Sequence, residues 1–349
     1  MIAHSDGERR GAYGWRMNRQ FQSAFSGCVA LLVLLTGCGG AASGAAPAVA
    51  STAGTGAGSS GSSDKTTALS YSCPVAQTSS GSLNCASLPI GDQKYSLTKP
   101  QQGYVYACMA ASGSAPAPAQ SEPWIGANTW NMLTKAVVEG SVSWSGSISI
   151  TTNAGTRTIV SNGLPVSPYT TGTYPVSSSD PASEFGGDPN SIAQHEYDIE
   201  LPQDPSVAAT PSCVPMGPIG ITVTGVSVYN AFDANDNDAN ANEIQDACHG
   251  HPDPSETYHY HGFLQTCVPD AGSATQNSSL LAYAFDGFGI YGPWYNGKIL
   301  TSADLDECHG TTSPVMWDGQ LVNIYHYVST YDFPYTVGCY RGTPVPVRP

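Results

Sequence analysis

Residues 246–262 read Asp-Ala-Cys-His-Gly-His-Pro-Asp-Pro-Ser-Glu-Thr-Tyr-His-Tyr-His-Gly. This stretch holds four of the chain's eight histidines, arranged as two His-x-His pairs on either side of a Pro-containing segment. In an extended segment, side chains i and i+2 share a face, with their Cα atoms about 6.5 Å apart. The spacing therefore predicts two neighbouring strands that direct four imidazoles at one point.

Four neutral imidazoles that converge suit Zn(II) or Cu(II), and imidazole also binds Ni(II) and Fe(II). The sequence thus predicts a divalent transition-metal site, for Cu or Zn, with four ligands: His249, His251, His259 and His261. One alternative is that these histidines only hydrogen-bond to backbone in a disulfide-held loop. Another is acid–base chemistry without a metal.

The same pattern occurs a second time along the chain. The motif Asp-x-Cys-His-Gly begins at Asp246 and again at Asp306, 60 residues later. Segments 225–230 and 258–260, which flank the first motif, resemble segments 287–292 and 325–327, which flank the second. This self-similarity predicts an internal duplication, with repeats at about 219–267 and 281–340 that pack as pseudo-symmetric halves.

The second repeat keeps one histidine of each pair, His309 and His326, whereas Thr311 and Val328 replace the others. We therefore expect the metal in the first repeat, with His309 and His326 either structural or completing its ligand shell. An alternative site lies on the pseudo-dyad, built from His249, His259, His309 and His326. Asp246 and Asp306 are expected either to accept an N–H from a ligating imidazole or to cap the turn that follows them.

Composition favours an all-β fold that is loop-rich, disulfide-stabilised and β-sandwich-like. Only 11% of residues are charged, while Gly, Pro and Tyr number 38, 26 and 19, a balance that suits turns and half-buried strands. Predicted strands cover 142–151, 156–160, 196–201 and 219–229, and a helix is predicted over 128–138.

Eight cysteines follow Cys38, and an even count in an exported chain indicates four disulfide bonds. The duplication favours the pairs Cys248–Cys267 and Cys308–Cys339. The alternative register pairs Cys213 with Cys248 and Cys267 with Cys308.

Taken together, segments 246–252, 258–262, 283–293, 305–308 and 333–339 resemble the bacterial YHYH-domain family. The resemblance extends over about residues 126–342. It implies a fold and a domain boundary rather than a particular reaction.

The N-terminus resembles a bacterial lipoprotein signal. An apolar run over residues 24–34 follows Arg16 and Arg19 and leads directly into Leu-Thr-Gly-Cys at 35–38. We expect a signal peptide over 1–37, with Met17 as an alternative start, and a lipid on Cys38 that holds the chain to the cell envelope as a membrane anchor. An ordinary cleaved signal with a chance cysteine is the alternative.

The predicted division of the rest of the chain has three parts. Residues 38–68 are a Gly/Ala/Ser-rich tether, residues 69–125 are a cysteine-containing extension, and residues 126–349 are the YHYH domain.

Charge limits the possible partners. Removing residues 1–37 lowers Lys and Arg from 12 to 8 and Asp and Glu from 27 to 25, which leaves a net charge of −17. Such a surface disfavours nucleic acid as a partner and favours cations.

The run from Asp233 to Asp238, with Asn240, Asn242 and Glu243 beyond it, is rich in oxygen ligands and could hold Ca(II), but it lacks the EF-hand spacing. A solvated acidic loop is the alternative.

Sequence motifs of several known catalytic sites are absent: there is no G-x-S-x-G, no P-loop and no HExxH. The leading hypothesis is an exported lipoprotein that binds a metal for capture, buffering or structure. A metal-dependent hydrolase or oxidase, with Asp246, Glu256 or Tyr258 as acid–base groups, is the second. The third is an adhesion or scaffold domain that contacts a protein partner through aromatic residues such as Trp294 and Trp317.

Overall fold

The computed structural model describes residues 70–74, 83–111, 122–262, 267–269 and 272–346. All of them belong to one compact unit, Ser63–Pro349. The predicted signal peptide, Cys38 and the tether lie outside the described residues. No helix within the described ranges has the length and apolar character needed to cross a membrane.

The described part of the chain consists mainly of short strands, so the predicted all-β class is confirmed. In chain order the strands are β1 Leu88–Pro89, β2 Tyr95–Ser96, β3 Val105–Tyr106, β4 Thr129–Trp130, β5 Val137–Val138, β6 Val142–Ser143, β7 Ile148–Asn153, β8 Thr156–Ser161, β9 Thr170–Thr171, β10 Tyr197–Pro202, β11 Pro218–Thr222, β12 Ser227–Tyr229, β13 Gln245–Asp246, β14 Gly250–Pro252, β15 Tyr258–Tyr260, β16 Leu280–Ala284, β17 Gly289–Tyr291, β18 Trp294–Tyr295, β19 Lys298–Ile299, β20 Gly310–Trp317 and β21 Gln320–Val328. The helical segments are α1 Ala239–Asn242 and the 3-10 helices Met132–Thr134, Pro181–Phe185 and Ser302–Asp304.

An eight-stranded sheet forms the centre of the unit, in the order β14-β15-β12-β11-β16-β17-β21-β20. We call β11, β12, β14 and β15 the first half of this sheet, and β16, β17, β20 and β21 the second half. In each half a parallel pair, β12–β15 or β17–β21, joins two antiparallel pairs. The halves meet at the antiparallel pair β11–β16. Each half thus has the strand arrangement of the other in reverse order, and the internal duplication stays a prediction.

The central strands are buried on both faces, which explains their continuous apolar sequence. Ile219 and Ile221 of β11 and Leu281 to Ala284 of β16 are almost fully buried. Gly220 is required at this junction because a Cβ there would lie 2.7 Å from the carbonyl oxygen of Tyr283. The centre of the sheet therefore joins the two halves by close backbone contact.

A smaller antiparallel sheet, in the order β10-β8-β7, packs against the large one. Burial alternates along β8 and β10, so that Ile159 and Ile199 face the shared core. Arg157 lies on the same face of β8, with its guanidinium 4.5 Å from the centre of the Tyr283 ring and 4.8 Å from that of Trp317. It also donates to both carboxylate oxygens of Asp318 at 3.0 Å, which ties the small sheet to the second half.

Some predicted elements need correction. Segment 128–138 is not a helix: β4, one 3-10 turn and β5 occupy it, because the Asn131 side chain accepts from Leu133 N at 3.0 Å and stops the extended chain for a single turn. Segment 142–151 is divided into β6 and β7. Segment 219–229 is a hairpin, β11–β12, and it turns at Gly225, whose φ is +96°. The predicted strands 156–160 and 196–201 correspond to β8 and β10.

Four disulfide bonds join Cys73 to Cys85, Cys108 to Cys213, Cys248 to Cys267 and Cys308 to Cys339. The last two are the pairs that the duplication favours, and the alternative register does not occur. Cys108–Cys213, together with the pairing of β1 with β4, attaches the segment before residue 112 to the rest of the unit.

Candidate metal centre

Three histidines converge at the outer edge of the first half. His251 of β14 and His259 of β15 face each other across the antiparallel ladder, and His261 follows β15 directly. Their side chains are buried, and one ring nitrogen of each lies within 4.8 Å of the others. The Nε2 atom of His261 is 3.0 Å from that of His259 and 3.4 Å from that of His251. Two strands and one tight turn thus bring three Nε2 atoms together.

The other nitrogen of each ring has an oxygen partner. The Nδ1 atom of His251 lies 3.3 Å from Asp188 Oδ2. The Nδ1 atom of His259 lies 3.0 Å from the carbonyl of Thr257, and that of His261 lies 2.5 Å from the carbonyl of Asn230. Each Nδ1–H can therefore donate to an oxygen outside the cluster, and the Nε2 lone pairs then face inward, as in metal-ligating histidines.

Glu243 adds an oxygen to this cluster, and the sequence analysis did not place it there. It is the C-cap of α1, with its Oε2 atom 2.9 Å from His251 Nε2 and 3.2 Å from His261 Nε2. A tetrahedral site with ligands at about 2.0–2.1 Å has ligand–ligand distances of about 3.3 Å. The observed distances of 2.9–3.4 Å are close to this value.

An aromatic ring fixes the orientation of His259. Tyr229 of β12 stacks on the imidazole with a ring-centre distance of 3.8 Å, and its hydroxyl donates to Asp253 Oδ2 at 2.9 Å. Because β12 pairs in parallel with β15, this stacking follows directly from the register Ser227 to His259. The cluster is therefore held by the sheet as well as by its own contacts.

The prediction that His249 joins the other three histidines is wrong. Its φ is +54°, so it lies in a turn before β14 and does not share a face with His251. Its ring stacks on Tyr71 with centres 4.1 Å apart, and within the described residues neither ring nitrogen has a hydrogen-bond partner. Residues i and i+2 share a face only where the chain is extended, and in the His249–His251 pair only His251 lies on a strand.

Asp246 and Asp306 cap turns and do not contact the imidazoles. Asp246 Oδ1 accepts from Cys248 N at 2.9 Å and from Gly250 N at 3.2 Å. Asp306 Oδ1 accepts from Cys308 N and Gly310 N, both at 2.9 Å. Of the two roles considered, the turn-capping role is therefore the one present in the structure.

The retained histidines of the second half lie away from the metal cluster. His309 Nε2 is 2.9 Å from Thr330 Oγ1, and His326 Nδ1 donates to the carbonyl of Ile324 at 3.0 Å. Within the described ranges, the grouping that could hold a metal consists of His251, His259 and His261. The pseudo-dyad set of His249, His259, His309 and His326 does not come together.

The electrostatics of the cluster indicate that His251 and Glu243 form an ion pair. Burial alone would lower the pKa of His251, but the Glu243 carboxylate and the contact with Asp188 raise it to about 10. Burial, followed by the neighbouring His251 and His261, holds the pKa of His259 well below its usual value. Burial would raise the pKa of Glu243, yet the charges of His251 and His261 lower it well below its usual range. In the absence of a metal, one proton on His251 thus balances the Glu243 carboxylate.

The acidic run at 233–238 is not a solvated loop. Its aspartates are buried, and their oxygens accept backbone hydrogen bonds: Asp233 from Asn235 N, Asp236 from Ala111 N and Asp238 from Gly91 N. Among the described residues, the side chains of this run form no group of three converging ligand atoms. It is a structural loop.

The remaining predicted groups have other surroundings. The Tyr258 hydroxyl donates to Asp246 Oδ2 at 2.6 Å, on the opposite face of β15 from His259, and Glu256 is exposed in the turn between β14 and β15. Trp294 and Trp317 are buried.

Comparison with known proteins bears on the identity of this region. A model of the YHYH protein family matches residues 198–300, which include β11 to β19 and the whole histidine cluster. Comparison with curated proteins and with solved structures gives no significant match. The Tyr258–His261 tetrapeptide that gives the family its name supplies two of the three clustered imidazoles. Residues 198–300 of this chain are therefore a YHYH domain.

Proposed function

We propose that this chain binds one divalent transition metal ion through His251, His259, His261 and Glu243. Each Nδ1 has an oxygen partner, and His261 Nε2 lies 3.0 Å and 3.4 Å from the Nε2 atoms of His259 and His251 and 3.2 Å from Glu243 Oε2. Groups this close need a shared proton or a cation between them, and an ion bound by all four would displace the proton that His251 holds in its absence. This observation carries the proposal.

Zn(II) is the ion that the donor set favours. Three imidazoles and one carboxylate are common zinc donors, and zinc takes tetrahedral surroundings readily, whereas Cu(II) prefers tetragonal ones. Cu(II) is the alternative, and competition between the two ions at pH 7.4 distinguishes them.

The role we propose is capture, buffering or structural use of the ion. Four protein donors complete a tetrahedral shell, whereas catalytic zinc sites keep one position open. A metal-dependent hydrolase or oxidase is the second candidate, because the Glu243 side chain is 23% exposed and is the donor that water can most readily displace. Metal-dependent turnover of p-nitrophenyl acetate or p-nitrophenyl phosphate would favour that second candidate.

Four disulfide bonds suit an oxidising compartment outside the cytoplasm. We further propose that a lipid on Cys38 anchors the chain to the bacterial cell envelope. This part of the proposal is supported by the Leu-Thr-Gly-Cys sequence at 35–38 and the apolar run before it. The acidic composition raises the local concentration of cations near the site.

The test is metal content and affinity of protein purified without a His tag. One Zn(II) per chain is expected, and the double variant His259→Ala, His261→Ala should lose it. The matched control is His326→Ala, because His326 occupies the position of His259 in the second half and makes the same Nδ1 contact to a carbonyl two residues before it. Stoichiometric uptake by the double variant, or no uptake by the folded wild-type chain, would refute the proposal.

A further inference from the structure

The second half of the sheet has a cavity at the place where the first half has its metal cluster. Thr311 faces His326 across the β20–β21 ladder, as His251 faces His259 across β14–β15. Thr311 and Val328 thus stand where the first half has His251 and His261. The result is a cavity of about 230 Å³ that His326 and Val328 line. His326 is thus the one imidazole at this place in the second half, since Thr311 and Val328 replace the other two histidines.

The described walls of this cavity are mainly apolar and aromatic. Among the lining residues are Tyr291, Trp294, Leu300, Met316 and Leu321. Met316 and Leu321 are opposite each other on β20 and β21 and are 56% and 71% exposed, so they reach both the cavity and solvent and form its mouth. An engineered apolar cavity of about 150 Å³ accepts benzene. The larger volume here suits a single aromatic ring with one or two substituents.

His326 is the imidazole among the polar groups of this cavity, which also include Gln276, Asn277, Ser278 and Ser279. It is 97% buried, since only 3% of its surface is exposed, and Tyr291 packs edge-on against it with ring centres 5.0 Å apart. Its Nδ1–H donates to the carbonyl of Ile324, which leaves Nε2 as the acceptor. Burial lowers the pKa of His326, so the ring is neutral at pH 7. Among the described residues, no hydrogen bond to its Nε2 is found.

We propose that this cavity binds a small phenol, with the ring between Trp294 and the mouth residues and the hydroxyl donating to His326 Nε2. Ligand pockets of this kind combine apolar walls with a few fixed polar groups that set orientation. Met316 adapts its flexible side chain to the ring at the mouth. This site is separate from the metal cluster and does not depend on the metal.

The test compares p-cresol with p-xylene, which replaces the hydroxyl with a methyl group of similar size. Ligand-observed NMR titration of the full folded chain should show one saturable site that binds p-cresol roughly five- to tenfold more tightly than p-xylene, the effect of one net hydrogen bond. In His326→Phe the two probes should bind equally, because p-cresol loses its acceptor while the aromatic wall is kept.

Two further variants test the position of the ligand. Leu300→Trp fills the cavity and Leu321→Trp narrows its mouth, and both should weaken binding of either probe at least tenfold. His259→Phe, at the corresponding position of the first half, should leave p-cresol binding unchanged while it weakens metal binding. Near-UV circular dichroism confirms that each variant is folded.

Three outcomes with the two small probes would overturn the proposal. These are the absence of saturable binding of p-cresol, equal affinity of the wild-type chain for both probes, and full binding in both tryptophan variants. Tighter binding of the peptide Ala-Ala-Tyr-Ala-Ala than of p-cresol would instead identify a partner's tyrosine as the occupant, and this too would overturn a free small molecule as the ligand.

Discussion

The conformation of single residues decides which histidines can bind the metal. His249 and His309 both have positive φ, at +54° and +68°, and both lie in the turn that an Asp-x-Cys-His-Gly motif forms. His251 and His259 are extended and face each other. The histidine of this motif is therefore a turn residue in both halves, and in the first half the residue two positions later, His251, belongs to the histidine cluster.

Metal binding should release a proton. Because the contacts with Glu243 and Asp188 outweigh burial and raise the pKa of His251 to about 10, this residue carries a proton at pH 7.4 when no metal is bound. A ligating imidazole must be neutral, so the ion displaces that proton. We expect release of about one proton per Zn(II), and roughly a tenfold gain in affinity per pH unit between pH 7 and 9.

Calorimetric titration of Zn(II) in buffers of different ionisation enthalpy measures this release. The Glu243→Gln variant lacks the charge that holds the proton and should release less, whereas Glu256→Gln, at an exposed position in the nearby turn, should behave as wild type. A heat of binding that does not depend on the buffer would contradict the assignment of the proton to His251.

Three of the four histidines predicted as ligands lie together, because the spacing places His251 and His259 on facing strands and His261 directly after the second strand. His249 could not be excluded, because a left-handed φ is not visible in a His-x-His pattern. The sequence does not indicate that Glu243 contacts the cluster, because this contact depends on tertiary structure. Asp238 caps α1 by accepting from Ala241 N, and the C-cap residue of α1, Glu243, then lies beside the histidines. No short-range spacing encodes that path.

At the scale of elements, the two halves of the sheet have the same turn but different chemistry. In both, a glycine lies against a tyrosine hydroxyl: a Cβ on Gly250 would be 2.2 Å from Tyr258 Oη, and one on Gly310 would be 2.2 Å from Tyr325 Oη. Each hydroxyl in turn donates to the capping aspartate of its own half. The Asp, Gly and Tyr that occur in both halves thus make the same contacts within each turn.

Substitution of these glycines separates stability from metal binding. Gly250→Ala and Gly310→Ala should each lower the free energy of unfolding by about 1–3 kcal/mol, because the added methyl group overlaps a buried tyrosine. Only Gly250→Ala should also weaken Zn(II) binding, since it displaces β14 and with it His251. Urea unfolding and metal titration of both variants measure the two effects. Equal loss of metal affinity in both would show that the halves are coupled rather than separate.

The elements that sequence did not predict are those set by tertiary contacts. Segment 128–138 has helical composition, but Trp130, Val137 and Val138 are each buried in strand pairings with distant partners. Val137 and Val138 pair with Gln245 and Asp246, more than a hundred residues away. Long-range pairing here overrides local propensity, as it often does in β-structure.

At the scale of the whole molecule, the described unit and the N-terminal segment differ in composition. The unit contains four disulfide bonds and the histidine cluster, while residues 38–68 are almost entirely small, mostly Gly, Ala, Ser and Thr. Under the lipid attachment proposed for Cys38, residues 39–68 are the stretch of sequence between the anchor and the described unit.

The charge of the molecule makes the anchor testable. With a net charge of −17 after removal of residues 1–37, the chain is repelled by anionic head groups, so electrostatic attraction does not hold it at a membrane. Wild-type protein expressed in a bacterial host should therefore stay with the membrane fraction in 1 M NaCl. Cys38→Ser should move to the soluble fraction and keep its zinc stoichiometry, because the metal ligands lie more than 200 residues further along the chain. Release of the wild-type chain by salt, or membrane retention of the folded variant, would contradict lipid attachment at Cys38.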